Sequence, residues 1–174
     1  MVRLFFILCL LLTFSCGTRS KEINFDLSSY QYDQQVIEHL PVYDSLVITI
    51  LINYASFQQL IKVDESYRAY RYMPYSDSID LLKIVPKLGA TKINEYFTEL
   101  GKNFIYGFDL FKDSTIKIYI RKVLSEKDQV FVSENLSYYP TGTNIRRREF
   151  PIKDTLLNKY WLYWIRFDKP DLFF

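Results

Sequence analysis

Residues 104–120 read FIYGFDLFKDSTIKIYI, and their period decides the fold. Phe104, Tyr106, Phe108 and Leu110 alternate with Ile105, Gly107 and Asp109. Ile116, Ile118 and Ile120 alternate with Lys117, Tyr119 and Arg121. A repeat of two sends successive side chains to opposite faces, so each run predicts a half-buried strand. Lys112-Asp113-Ser114 between them is a turn. The texture then continues. Glu126-Lys127-Asp128 marks another turn, Val130 and Val132 lead a strand toward Tyr139, and Pro140-Thr141-Gly142 turns again. Ile145–Ile152 predicts a polar edge strand, and Tyr160–Phe167 (YWLYWIRF) an aromatic strand apolar on both faces. The sum is an antiparallel β-meander over about 104–168.

Toward the N-terminus the spacing becomes helical. Ser76 fits an N-cap, with Asp77 and Asp80 in the first turn and Leu81, Val85 and Leu88 as the apolar line; Pro86 ends or kinks that helix. Thr91 caps a second helix through Leu100, with Ile93, Tyr96, Phe97 and Leu100 on its apolar face and Gly101 as the terminating glycine. A helix pair therefore spans about 76–100. Further back, Asp33–Leu40 predicts a short helix stopped by Pro41, and Ser56–Val63 another that carries Phe57, Leu60 and Ile61. Ser45–Asn53 (SLVITILIN) is β-branched and apolar, and reads as a strand buried on both faces, a pattern it shares with a buried helix. Tyr67–Met73 alternates as an exposed strand with Tyr70 and Tyr72 on one side. The expected architecture is α+β, one domain over 23–174.

Composition excludes several classes. Of 174 residues 49% are hydrophobic and 24% charged, with a net charge of +2. That is too apolar for a disordered chain and too nearly neutral for a strongly basic nucleic-acid binder. Five glycines, at 17, 89, 101, 107 and 142, make neither a dinucleotide fingerprint nor a P-loop.

Met1-Val2-Arg3 is a basic start, followed by eleven apolar residues from Leu4 to Phe14. As a helix that run measures about 17 Å, against a hydrocarbon core of about 30 Å. It therefore reads as a signal peptide over 1–15 and not as a span. Thr13-Phe14-Ser15-Cys16 resembles the lipobox of bacterial lipoproteins, in the looser Bacteroides-type form, since Thr13 and Phe14 depart from the usual aliphatic and small residues. The resemblance implies a lipid on Cys16, a tether over 16–22 and a membrane-anchored place in the bacterial cell envelope, at the outer membrane or its periplasmic face. The alternative is a soluble secreted protein cleaved after Gly17, with Ser15 and Gly17 as the small residues. Cys9 would leave with the signal segment, so the body would carry no thiol apart from Cys16. Such a body cannot form internal disulfides in an oxidising compartment.

Catalytic vocabulary is sparse. His39 is the one imidazole, so a two-histidine metal site cannot form within one chain. No metal and no cofactor is expected. Ser114-Thr115-Ile116-Lys117 matches Ser-x-x-Lys in letters, but on a strand residues three apart face opposite sides. An envelope hydrolase using His39 or carboxylates such as Asp77 with Asp80, or Glu95 with Glu99, stands as the alternative to a non-catalytic interaction or ligand-binding module. The binding reading rests on aromatics and arginines. Tyr67, Arg68, Tyr70, Arg71, Tyr72 and Tyr75 form a candidate recognition surface for an envelope protein or glycan partner. Arg146 and Arg148 share one face of a predicted strand and form a candidate basic patch.

Overall fold

In the computed structural model the description covers residues 31–61, 69–75, 81–125, 130–142 and 152–168. Asp33 opens the first helix, α1 (Gln34–Glu38), by accepting the Gln35 N–H at 2.9 Å on its side chain. Pro41 does not stop the chain there. It sits in the first turn of α2 (Leu40–Ile52), where its missing N–H costs no helical hydrogen bond. The stretch 45–53, expected as a strand, is thus the body of a helix. Tyr43, Leu46, Val47 and Ile50 bury themselves in the core, and this packing overrides the strand preference of the β-branched residues. A short α3 (Tyr54–Gln58) follows, earlier than expected, and buries Phe57.

The expected helix from Ser76 also changes. Residues 76–80, with Asp77 and Asp80, lie outside the described residues; Leu81–Lys83 is a single 3-10 turn. Pro86 is the N-cap of α4 (Lys87–Leu100), which starts ahead of Thr91. Ile93, Phe97 and Leu100 are buried as the spacing required, and Gly101 ends the helix at φ 68°. Only glycine adopts that backbone with ψ 171° without strain.

The strands are β1 (Ala69–Tyr72), β2 (Gly107–Phe111), β3 (Ile116–Ser125), β4 (Val130–Tyr138), β5 (Ile152–Leu156) and β6 (Trp161–Asp168). They form one six-stranded antiparallel sheet in the order β1-β2-β3-β4-β6-β5. The fold is α+β. It departs from a plain meander at its far end, where β6 inserts between β4 and β5 and leaves β5 on the edge. Most of the expected edge strand 145–152 lies outside the described residues.

Alternation along each strand sends one set of side chains to the helices: Tyr70 and Tyr72, Phe108 and Leu110, Ile116 and Ile118, Leu136, Tyr163 and Ile165. These join Val36, Leu46, Ile50, Phe57, Ile93 and Phe97 in one core. Two long-range hydrogen bonds hold α2, one to the sheet and one to the loop before β2. The Trp161 indole N–H donates to Asp44 at 2.6 Å, and the Tyr43 hydroxyl donates to the Phe104 carbonyl. Between Tyr119 and Arg121 the β3–β4 register slips by one residue, a bulge that turns Arg121 toward the helix side opposite Glu134.

Candidate functional site

The face of the sheet away from the helices holds an unusual set of buried polar groups. On β2, Asp109 has no solvent exposure. Arg71, its cross-strand partner on β1, donates to both carboxylate oxygens, from Nε at 2.9 Å and Nη2 at 3.2 Å. The same Nη2 lies 3.0 Å from the Tyr119 hydroxyl, which in turn donates to Asp109. Burial pushes the Asp109 carboxyl up to about 6, while the Tyr119 hydroxyl and the Lys117 charge pull it down. Arg71 is half exposed, so water weakens its hold on the carboxylate. Burial, and then the neighbouring Asp109 charge, raise the Tyr119 hydroxyl, which keeps it a donor. Next to this group the Lys117 ammonium lies 4.4 Å from the Tyr119 ring centre and 4.6 Å from that of Trp164. The Trp164 indole N–H donates to the buried Ser137 hydroxyl at 2.8 Å.

A second polar cluster sits on the helix side, beyond the bulge. Glu134 is fully buried, and Arg121 donates to it from Nε and Nη2, each at 2.7 Å. The Tyr163 hydroxyl donates to the other carboxylate oxygen at 2.5 Å. Arg121 also reaches the capping Asp33 at 3.1 Å, which ties the start of α1 to the sheet. Burial, then Glu134, drives the Tyr163 hydroxyl far above its ordinary range.

Three cavities follow β3. The largest, about 770 Å³, lies between the start of α1, the α4–β2 loop and the β3–β4 hairpin, with Phe104 and Phe131 among its walls. It shares Tyr106, Arg121 and Lys122 with a pocket of about 210 Å³ on the outer face. That pocket shares Lys117 and Trp164 with a third, of about 350 Å³, which reaches Phe111 and Tyr139. The three pockets thus share lining side chains along β3, from Lys117 to Lys122. The middle pocket is lined by Arg71, Lys117, Arg121, Lys122 and Arg166 and by no carboxylate.

The residues expected as a recognition surface do not come together as one. Tyr70 and Tyr72 are core side chains, 7% and 4% exposed, packed on Phe57, Phe97 and Phe108. The strand they sit on is therefore buried on one face, not exposed. Arg71 points the other way, into the outer pocket. Tyr75 reaches the surface, with the Lys102 ammonium 4.9 Å from its ring centre. Cys16, Tyr67, Arg68, Arg146 and Arg148 lie outside the described residues. His39 closes the junction of α1 and α2: its Nδ1–H donates to the Gln35 carbonyl at 2.6 Å and its ring stacks on Phe104. Glu95 and Glu99 are exposed on α4. Asp109 and Glu134, the acids that the fold does bury, were not singled out from the sequence. The trace Asp109 leaves is a lone carboxylate inside an apolar strand, GFDLF; Glu134, between Ser133 and Asn135, leaves none.

Among the described residues no group of three His, Cys, Asp or Glu side chains could hold a metal ion, and no helix is long and apolar enough to cross a membrane. Comparison with protein-family models, curated proteins and solved structures finds no match to the chain.

Proposed function

We propose that the chain is a lipid-anchored protein of the bacterial cell envelope whose domain acts by binding, through the groove along β3. The groove is the observation that carries this reading. Its middle pocket is lined by Lys117, Lys122 and Arg166 with Tyr106, Tyr119 and Trp164, and by Arg71 and Arg121, which the carboxylates of Asp109 and Glu134 hold in place. Lysine heads held over rings, as Lys117 is over Tyr119 and Trp164, are preorganised donors for carboxylate or phosphate oxygens. The ligand is accordingly an envelope protein or glycan that presents such groups. The anchor rests on Cys16 and the lipobox-like residues ahead of it.

Two experiments test the reading. Acyl-chain mass on Cys16, and loss of membrane association in Cys16→Ala, test the anchor; a Cys16→Ala protein that still fractionates with membranes rules it out. A photo-crosslinking amino acid at Ser133, in the pocket wall, captures the ligand in intact cells. The same group at Glu95, exposed on α4, captures nothing. Equal capture at both positions contradicts the groove as the binding site.

A further inference from the structure

α2 is mostly apolar, with Asp44, Ser45 and Thr49 as its polar side chains, yet only part of it is covered. Tyr43, Leu46, Val47 and Ile50 face the core, whereas Ile48 is 57% exposed and Ile52 78%. These two lie four residues apart and share a helix face. Large aliphatic side chains exposed side by side mark a surface that meets a partner or a membrane. Leu88, 70% exposed, adds to it from α4. The helices approach closely at that end, where a Cβ on Gly89 would come within 2.7 Å of the Asn53 side chain. Leu88 and Ile52, the chain neighbours of those two residues, are thereby brought to one region.

Charge surrounds the aliphatic face. Lys83, Lys87 and Lys92 are all exposed, and Lys92 follows Leu88 by four residues. Against these lysines stand Asp44, one turn before Ile48 and held by the Trp161 indole, and the exposed Glu95, three residues after Lys92. We infer that this end of α2 and α4 docks on a bilayer surface that carries anionic phospholipid, with Ile48, Ile52 and Leu88 entering the headgroup–acyl boundary and the lysines at the headgroups. Apolar side chains rimmed by lysine are the chemistry of interfacial binding. A second copy of the chain fits less well. Three aliphatic side chains offer on the order of 300 Å², against about 800 Å² per partner in a stable interface. The inference deepens the anchored reading and rests on it only for the nearness of a bilayer.

The test uses the acylated full-length product in vesicles. With Cys9 removed and Cys16 blocked by lipid, a single introduced cysteine carries an environment-sensitive fluorophore at Leu88→Cys, and at Leu156→Cys on the sheet edge as control. In phosphatidylcholine vesicles with phosphatidylglycerol, the label at 88 shifts its emission to the blue and the label at 156 does not. Each lysine neutralised by Lys→Gln weakens the docked state about fivefold, and Ile52→Glu abolishes the shift. A protein that floats with vesicles while the label at 88 stays as wet as that at 156 overturns the docking and leaves the anchor standing. A protein without acyl mass on Cys16 overturns the anchor alone, provided that on a Cys16→Ser background, where 88 is the one thiol, excess anionic vesicles still shift the label; absence of that shift overturns docking too. A blue shift at 88 without vesicles, rising with protein concentration, identifies a second copy as the occupant and also overturns it.

Discussion

Replacing Arg121 with methionine takes the cation away from a carboxylate that has no contact with water. Glu134 is 0% exposed at its side chain, and Arg121 supplies two N–H donors at 2.7 Å. Of the hydrogen bonds described above, the one from Tyr163 remains after the substitution. Breaking a buried pair by deleting one partner costs about 3–5 kcal/mol, because the charge left behind is uncompensated. Arg121 itself is 35% exposed, and water can follow the shorter side chain part of the way, so the lower end applies, about 3 kcal/mol. That is a large share of a stability of about 5–15 kcal/mol. Asp33 also loses its ion pair, and the start of α1 loosens with it. Urea unfolding at pH 7 reads the loss as a lower midpoint with an unchanged slope. The double variant Arg121→Met, Glu134→Leu replaces the pair with apolar side chains and recovers to within about 1 kcal/mol of the parent. A single variant that loses less than about 1 kcal/mol, or a double variant no more stable than the single, refutes the reading that Glu134 depends on Arg121 as its buried counter-charge.

Further outcomes follow from the same contacts. The Asp109 carboxyl sits at about 6 in the folded chain, against 3.8 ordinarily, so the native state holds its proton more tightly and stability falls as pH rises from about 4 to 6. Asp109→Asn removes that dependence, and its stability relative to the parent improves by up to about 3 kcal/mol between pH 4 and 7; parallel pH profiles of parent and variant would show that Asp109 titrates normally. Gly101→Ala costs about 1–3 kcal/mol through backbone strain alone, since an added Cβ there meets no atom within 4 Å; a melting temperature equal to the parent's contradicts this. Gly89→Ala drives a methyl into Asn53 and loosens α2 from α4, which hydrogen exchange registers as lost protection in both helices; unchanged protection speaks against the close approach.

β2 and β3 were legible because apolar side chains on one face alternate with polar or small ones on the other. Period two placed Phe108 and Leu110, and Ile116 and Ile118, on the core side, where they are found. The second helix was legible from Ile93, Phe97, Leu100 and Gly101 for the matching reason. α2 was not, because a run that is apolar on all sides carries no period to separate helix from strand, and its β-branched content tips the reading toward a strand. Pro41 misled for a related reason: the same residue that ends one helix is welcome in the first turn of the next. Tyr70 and Tyr72 show how far surface prediction from tyrosine content can go astray. Their rings complete an aromatic core with Phe57, Phe97 and Phe108, and only the arginine between them faces out. The groove was hidden because its lining comes from β1, β3, β4 and β6 together, and the insertion of β6 beside β4 is what brings Trp164 next to Lys117.

Calorimetric titration with oligosaccharides and peptides that carry carboxylates or phosphates tests the binding groove most directly. The parent protein binds saturably, and Lys117→Gln or Lys122→Gln weakens binding about tenfold or more through loss of a charge-assisted hydrogen bond. The exposed control Glu95→Gln leaves binding unchanged. Equal affinity in the lysine variants, or binding to uncharged analogues as tight as to the anionic ones, would contradict the groove as the binding site.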